Sequence, residues 1–250
     1  MDLILPDWPD APVNIGAFST SRRGGFSKPP YDDGNGAGGL NLGLHVGDAP
    51  EHVGQNRRLL QSLLPSQPVW LNQVHGATVV DAAAAAGTPS ADASVTSQRG
   101  VVCAIQTADC LPVLFCEAAG NVVGAAHAGW RGLANGVLQN TVQAMRNMGA
   151  IDILAWLGPA IGPEQFEVGE DVLQAFSAHG PEAETAFKPR DDSTGKYLAD
   201  IYQLARIVLA RHGVMKIHGG DNCTVSDAGR FYSYRRDGVT GRMASLIWIK

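Results

Sequence analysis

Two apolar segments joined by a short polar turn constrain this chain more than any other feature of its sequence. The segments are Leu111–Cys116 and Val122–Ala126, and Gly120 lies in the connection between them. Short apolar runs bounded by turn residues predict buried strands, and so short a connection predicts an antiparallel hairpin. Cys110 and His127, which flank the two segments, should therefore lie side by side at the open end of this hairpin.

A thiol next to an imidazole has two chemical uses. Opposite residues of an antiparallel pair have Cβ atoms roughly 5 Å apart. The hairpin therefore brings Cys110 and His127 close enough either to share a metal ion or to act as a nucleophile and its base. After His127 the chain continues with Gly129, Arg131 and Gly132, followed by an apolar pattern of helical period. We predict a tight turn that enters a helix there, and the start of a helix favours a bound anion.

A third side chain of the ligand type, His75, follows an apolar stretch at the tip of another predicted strand. Two histidines and one cysteine, with no fourth ligand in close spacing, are typical of a catalytic zinc site that keeps one coordination position open. We therefore predict that His75, Cys110 and His127 are the catalytic residues and bind Zn²⁺. Cu²⁺ is the second choice, because a blue-copper site needs an axial ligand such as methionine and none is obvious here.

Four polar residues near these motifs are candidates for substrate binding. Asp109 precedes Cys110 and is placed to orient the imidazole of a metal ligand. Arg131, at the predicted helix start, is placed to hold a phosphate or a carboxylate. Arg22 and Asn41 lie in glycine-rich polar loops, where binding residues concentrate.

Two local predictions concern the N-terminal third of the chain. The glycine-rich tract 33–39 has no large apolar side chain to anchor it, so we expect it to be mobile. Asp48 is followed by Pro50 and Glu51, and this order predicts a helix that has Asp48 as its N-cap and runs to about Leu64.

The composition limits the classes of protein to which the chain can belong. Its 250 residues include 45% hydrophobic residues and 30 glycines, which is typical of a folded, loop-rich α/β protein. The formal net charge of −5 argues against a nucleic-acid partner bound through bulk charge. The sequence has no Cys-x-x-Cys motif, signal peptide or membrane-spanning run, so we expect a cytoplasmic protein with reduced thiols and no membrane partner.

Five motifs resemble those of the polyphenol oxidase (laccase-domain) family, which is also called the YfiH family. They are Asn72–Gly76, Thr107–Pro112, His127–Gly132, Gly158–Gly162 and Phe231–Arg236. The resemblance implies a single α/β domain spanning residues 1–250, with mixed β-sheets sandwiched between helical layers. It also implies a zinc ion held by the residues that match the metal ligands of the family. These residues are His75, Cys110 and His127.

The function implied by this resemblance is phosphorolysis of purine nucleosides, namely adenosine, inosine and methylthioadenosine, with adenosine deamination as a further activity. The partners would then be a purine nucleoside and phosphate. An amide hydrolase or peptidoglycan-precursor editing enzyme with Cys110 as nucleophile is the alternative, followed by a non-catalytic metal-binding module. A copper polyphenol oxidase is disfavoured because the sequence lacks paired His-x-His motifs. One departure from the family pattern is that residues 32–39 insert glycines between Tyr31 and Leu40.

Overall fold

Fifteen strands and seven helices are found in residues 1–190 and 194–250, which are the residues that this computed structural model describes. The strands are β1 (Leu3–Ile4), β2 (Ile15–Thr20), β3 (Arg23–Ser27), β4 (Pro68–Val69), β5 (Val79–Asp81), β6 (Ala93–Thr96), β7 (Val102–Thr107), β8 (Leu111–Glu117), β9 (Val123–Ala128), β10 (Ile153–Leu157), β11 (Glu167–Gly169), β12 (Phe187–Pro189), β13 (Lys196–Ala199), β14 (Lys216–Gly219) and β15 (Met243–Ile249). The helices are α1 (Pro50–Gln61), α2 (Trp130–Ala134), α3 (Val137–Asn147), α4 (Glu170–Ser177), α5 (Pro181–Glu184), α6 (Ile201–Arg211) and α7 (Tyr234–Asp237).

Most of the strands belong to two large mixed sheets. The five-stranded sheet has the order β1-β2-β15-β7-β4, and the six-stranded sheet has the order β14-β10-β8-β9-β6-β5. The first contains one parallel edge pair, β4 with β7, and the second contains two, β5 with β6 and β14 with β10. A third, small sheet has the order β11-β13-β12. Within the part of the chain described above, no helix is long and apolar enough to cross a bilayer.

The two large sheets pack face to face and share a core. Strand β8 shows the arrangement, because Leu114 and Cys116 face the five-stranded sheet whereas Val113 and Phe115 face α3, α4 and α6. A further core lies on the outer side of the five-stranded sheet, where Leu60 of α1 packs. The layer order is therefore α1, five-stranded sheet, six-stranded sheet, helices. This confirms the predicted α/β fold of mixed sheets between helical layers.

The central hairpin of the six-stranded sheet has the predicted antiparallel form. β8 and β9 pair with Leu111 opposite Ala128 and Pro112 opposite His127. Both strands are buried on both faces, which explains why they are continuously apolar. Cys110 immediately precedes β8 and His127 is the penultimate residue of β9, so the two lie at the same end of the hairpin.

The helices differ from the predictions at two places. The helical pattern that follows His127 is divided into α2 and α3, because Gly136 between them adopts a left-handed φ of 95°. α1 begins at Pro50 with Ala49 as its N-cap residue, so the predicted capping role of Asp48 was wrong. The Asp48 carboxylate is instead occupied by other donors, since it accepts hydrogen bonds from Ser27 and Asn41.

The glycine-rich tract is held by hydrogen bonds to two carboxylates. Asp33 Oδ1 accepts from the backbone N–H groups of Asn35 and Ala37, at 2.9 and 3.0 Å, and Asp32 Oδ2 accepts from that of Gly36 at 3.0 Å. The tract thus folds around its own acidic residues. Several backbone hydrogen bonds of this kind count against the expected mobility.

Two glycine substitutions should have opposite effects on stability. Gly54 lies inside α1, and a Cβ there meets only the end of the Arg58 side chain, at 3.6 Å. We expect Gly54→Ala to raise the free energy of unfolding by about 0.5–1 kcal/mol, because alanine loses less backbone entropy in a helix. Gly136→Ala also has room for its Cβ but must keep a positive φ, so it should lower that free energy by about 1 kcal/mol. Urea unfolding measures both, and two changes of the same sign would contradict the argument.

Candidate metal centre

Three side chains, two from loops and one from a strand, converge at one end of the two packed sheets. His75 lies in the loop from β4 to β5, and Cys110 lies in the loop from β7 to β8, so both are on segments that pass from one large sheet to the other. His127 comes from β9. The nitrogen and sulfur atoms that can bind a metal all lie within 4.8 Å of one another. The structure therefore brings together the predicted His-Cys-His set.

The separations within this set suit a shared ion. The Cys110 sulfur lies 3.7 Å from Nε2 of His75, and the rings of His75 and His127 meet edge to face with centroids 4.8 Å apart. Tetrahedral zinc with bonds of about 2.0–2.3 Å holds two donors roughly 3.3–3.8 Å apart, so the sulfur of Cys110 and Nε2 of His75 already have a suitable separation. The other donor atoms lie within 4.8 Å and need to approach by at most about 1 Å. Two imidazoles and one thiolate are donor types that zinc accepts.

A buried carboxylate that the sequence analysis missed, Asp92, orients one of these ligands. It is fully buried, and one of its oxygens lies 2.8 Å from Nδ1 of His127. Burial alone would raise the pKa of Asp92, but the hydrogen bonds from His127 and from the backbone of Gly76 and Val74 hold it below its usual value. Asp92 is therefore a carboxylate and accepts the Nδ1–H of His127, which leaves Nε2 of that ring for a ligand.

The same carboxylate also shapes the loop that carries His75. Asp92 accepts hydrogen bonds from three successive backbone N–H groups, those of Val74, His75 and Gly76, at 3.3, 2.9 and 2.7 Å. His75 has a φ of 59°, a left-handed conformation that costs roughly 1–2 kcal/mol outside glycine. Its exposed imidazole is thus presented by a turn that these three hydrogen bonds stabilise.

Asp109 fixes the turn before Cys110 and does not contact an imidazole, so its predicted role needs correction. Its carboxylate accepts hydrogen bonds from the Thr224 hydroxyl and from the backbone N–H of Arg235, both at 2.6 Å. Asp109 has a φ of 94°, which is an uncommon conformation for a residue with a side chain. The two hydrogen bonds offset that strain, and the turn directs Cys110 towards the two histidines.

The pKa values of the site differ from those of the other buried thiols. Burial opposes a thiolate at Cys110, but the charge of His127, with hydrogen bonds from His127 and His75, lowers the pKa of the thiol. Burial would lower the pKa of His127, but Cys110 and Asp92 raise it. Without a metal, these two shifts favour a thiolate at Cys110 next to an imidazolium at His127. In contrast, burial raises the pKa of both Cys103 and Cys116 to about 12, so those thiols stay protonated.

The glycines of the 127–132 motif leave room for the metal ligands. A Cβ at Gly129 would lie 3.0 Å from the Cys110 sulfur and 3.1 Å from Cδ2 of His75. A Cβ at Gly132 would lie 2.8 Å from the backbone oxygen of Gly76. The first turn of α2 therefore packs directly against the ligands, and any larger residue would displace them.

The three ligands open onto a cavity of about 660 Å³. Apolar side chains such as Trp70 and Leu71 form part of its wall, and the basic side chains of His45, Arg57 and Arg242 form another part. Among the described residues that line this cavity, none is an aspartate or a glutamate. The cavity is thus positively charged although the whole chain carries a net negative charge.

The other predicted substrate-binding residues do not line this cavity. Arg22 is buried and donates hydrogen bonds to the backbone oxygens of Asp32 and Ala228. Asn41 is fully buried. Arg131 is exposed, and its guanidinium lies over the ring of its neighbour Trp130. None of these three residues is among those that line the cavity together with the candidate metal ligands.

Comparison with known proteins gives consistent matches over nearly the whole chain. The family model described as multi-copper polyphenol oxidoreductase laccase matches residues 16–250. A protein of Pseudomonas aeruginosa called purine nucleoside phosphorylase PA4543 is 53% identical, covering 99% of this chain and 98% of that protein. The protein of Escherichia coli K12 called purine nucleoside phosphorylase YfiH is 54% identical, with the same coverage.

Two solved structures share the fold. The crystal structure of Neisseria meningitidis protein NMB0706 superposes with a TM-score of 0.92 at 52% identity and covers 100% of both chains. That of YlmD from Geobacillus stearothermophilus has a TM-score of 0.86 at 34% identity, covering 97% of this chain and 94% of the other.

Asp92→Asn should weaken metal binding, because an amide presents an N–H₂ group where backbone N–H groups need an acceptor. We expect the affinity for Zn²⁺, measured by competition with a chromogenic chelator, to fall about 10- to 100-fold. Asp152→Asn is the control, since Asp152 is exposed and pairs with Lys216 on the surface. Equal zinc affinity in Asp92→Asn and the unmodified protein would refute the role assigned to this carboxylate.

Proposed function

This chain belongs to the multi-copper polyphenol oxidoreductase laccase family, and from that premise we propose that it is a zinc-dependent purine nucleoside phosphorylase. The proposed substrates are phosphate and the nucleosides adenosine, inosine and methylthioadenosine. Relatives 53–54% identical over 99% of this chain carry the name purine nucleoside phosphorylase, which supports this reaction class. We also propose a cytoplasmic location, which the free state of all four cysteines favours.

The observation that carries the proposal is that one His-Cys-His cluster opens onto a cavity large enough for a nucleoside. The cavity volume of about 660 Å³ lies within the usual range for small-molecule sites. Among the described residues this cluster is the single group of three or more histidine, cysteine or acidic residues that can share an ion. A multinuclear copper oxidase needs several such groups, so the zinc enzyme is better supported than the oxidase.

Phosphorolysis exchanges one bond for another at the C1′ atom of the ribose. An oxygen of hydrogen phosphate bonds to C1′ while the bond from C1′ to the purine nitrogen breaks, and the proton of the phosphate ends on the purine. A zinc ion held by His75, Cys110 and His127 would supply a Lewis acid that stabilises negative charge on the leaving purine. Asp92 accepts the Nδ1–H of His127 and keeps that ring in one orientation, and Trp70 and Leu71 give the cavity an apolar wall.

Adenosine deamination is proposed as a further activity of the same cavity. In that reaction water adds at C6 of the purine, ammonia leaves with the amino nitrogen, and inosine is formed. A zinc ion held by His75, Cys110 and His127, which line this cavity, would supply a Lewis acid for the attack of water. Formation of inosine and ammonia from adenosine in phosphate-free buffer is the measurement that separates this activity from phosphorolysis.

A second candidate function is amide hydrolysis, including the editing of peptidoglycan precursors, with Cys110 as nucleophile. The observation in its favour is the thiolate–imidazolium pair that Cys110 and His127 form without a metal. A nucleophilic mechanism needs one base, so His75 would have little part in it. Metal dependence therefore separates the two candidates.

Cys110→Ser should lose both metal and activity if the zinc proposal is right. A neutral hydroxyl is a poor ligand in place of a thiolate, so we expect most of the zinc to be lost. The variant should then no longer form ribose 1-phosphate from inosine and phosphate. His75→Ala should fail in the same way, and the double variant should be little worse than either alone. Metal analysis and the coupled assay on the same samples measure both effects.

Cys223→Ser is the matched control, because Cys223 lies outside the cavity and its sulfur accepts a backbone hydrogen bond from Gly162. It should keep full zinc content and full activity. Full zinc occupancy in an inactive Cys110→Ser variant, with mild effects of His75→Ala, would instead establish Cys110 as a nucleophile.

A further inference from the structure

Three basic side chains share the cavity with the metal ligands. Arg57 comes from α1, Arg242 directly precedes β15, and His45 lies at the exposed rim. Partial burial, followed by the positive charges of Arg242 and Arg57, lowers the pKa of His45, so His45 is a neutral hydrogen-bonding group and the positive charges come from the two arginines. Positive groups gathered in a concave site without a lining carboxylate attract an anion.

The Arg57 guanidinium is held rigidly but is not neutralised. It lies over the ring of Trp70, 4.3 Å from the centroid, and its Nε and Nη2 donate to the backbone oxygen of Leu42 at 3.0 and 2.8 Å. Two of its five N–H groups are thereby used. Burial lowers the pKa of Arg57 to about 10, and no carboxylate among the described residues forms an ion pair with it. Its charge is therefore available to a ligand.

Arg242 is fixed in a comparable way. Its Nη1 donates to the backbone oxygens of Thr240 and Gly241, at 3.1 and 3.0 Å, and its backbone N–H donates to Oδ1 of Asn41 at 2.9 Å. Gly43 lets the aliphatic part of the side chain approach, since a Cβ there would lie 2.8 Å from Cγ of Arg242. No acidic side chain in residues 1–190 and 194–250 forms an ion pair with this guanidinium.

Other arginines in the neighbouring loops are already occupied. Arg22 pairs with Asp32, and Arg236 pairs with Asp237 while donating to three backbone oxygens. Arg242 lines the same cavity as Cys110. Arg57 and Arg242, which no carboxylate of the described residues pairs with, are thus the arginines that line the same cavity as the candidate metal ligands.

We propose that Arg57, Arg242 and His45 form the binding site for the phosphate that attacks the nucleoside. This inference rests on the proposed function, because it assigns the second substrate of that reaction to a position. The free N–H groups of two guanidinium side chains match the oxygens of phosphate, and charge-assisted hydrogen bonds of this kind are the strong ones. Phosphate binding, which the sequence suggested for Arg131, is thereby assigned to these three residues of the cavity wall.

Direct binding of inorganic phosphate tests the site without catalysis. Equilibrium dialysis with labelled phosphate is done on the full-length protein, with and without zinc. Arg242→Gln should raise the dissociation constant about tenfold or more, and His45→Ala about threefold. Arg58→Gln is the matched control, because Arg58 follows Arg57 in α1 but is exposed and outside the cavity, and it should change the constant less than twofold.

Steady-state kinetics then link the site to the reaction. In Arg242→Gln we expect the KM for phosphate to rise by the same factor as the dissociation constant, while zinc content and the KM for inosine stay within twofold of the unmodified protein. Arg57→Lys keeps the charge but loses the forked donors of the guanidinium group. Its KM for phosphate should therefore lie between those of the unmodified protein and Arg242→Gln. If Arg242→Gln does not fold, Arg57→Lys and the exposed His45→Ala decide the question.

The two proposals fail in different ways. Phosphate binding that depends on Arg242 in a protein without phosphorylase activity would support the anion site and refute the proposed function. Phosphorylase activity with an unchanged KM for phosphate in Arg242→Gln, Arg57→Lys and His45→Ala would refute the anion site alone. A larger effect of Arg131→Gln than of Arg242→Gln would place phosphate at the start of α2 and also overturn the inference.

Discussion

The carboxylate of Asp92 is the constraint on which the candidate site depends. It accepts one hydrogen bond from the ring of His127 and three from the backbone around His75, and it is fully buried while doing so. A buried charge with four donors is stabilised only when all of them are present, because removing donors leaves an uncompensated charge in the interior. Two candidate metal ligands, His75 and His127, which lie far apart in the sequence, are therefore fixed by one group. Loss of that group would disturb both ligands together.

Sheet pairing explains why the hairpin ligands could be predicted from the sequence and Asp92 could not. Cys110 and His127 flank two apolar strands joined by one short turn, so local geometry alone brings them together. Asp92 reaches His127 because β6 pairs with β9, a non-local pairing that no local pattern reveals. The one available signal was an acidic residue directly before a wholly buried strand. The layered fold was likewise predictable, since continuous apolar runs require cover on both faces.

Residues in the polar loops were the hardest to interpret. Arg22, Asn41 and Asp109 have the residue types of binding sites, but the structure uses each of them to hold backbone in place. Asn41 is linked to the cavity indirectly, because its side chain accepts from the backbone of Arg242. The basic side chains that do line the cavity come from opposite ends of the chain. None of His45, Arg57 and Arg242 stands in a recognisable motif, so the sequence spacing gave no indication that they lie together.

The face-to-face packing of the two large sheets has a consequence for the geometry of any reaction in the cavity. Arg242 directly precedes β15 of the five-stranded sheet and His127 lies in β9 of the six-stranded sheet, whereas His75 and Cys110 lie on the segments that join the two sheets. The side chains between the sheets, such as Leu114, Cys116 and Ile247, therefore act as spacers that set how far apart the two halves of the cavity stand. Packed sheets lie about 10 Å apart. Exchanging small and large residues in that layer would change the distance between the two halves of the cavity without altering any candidate ligand.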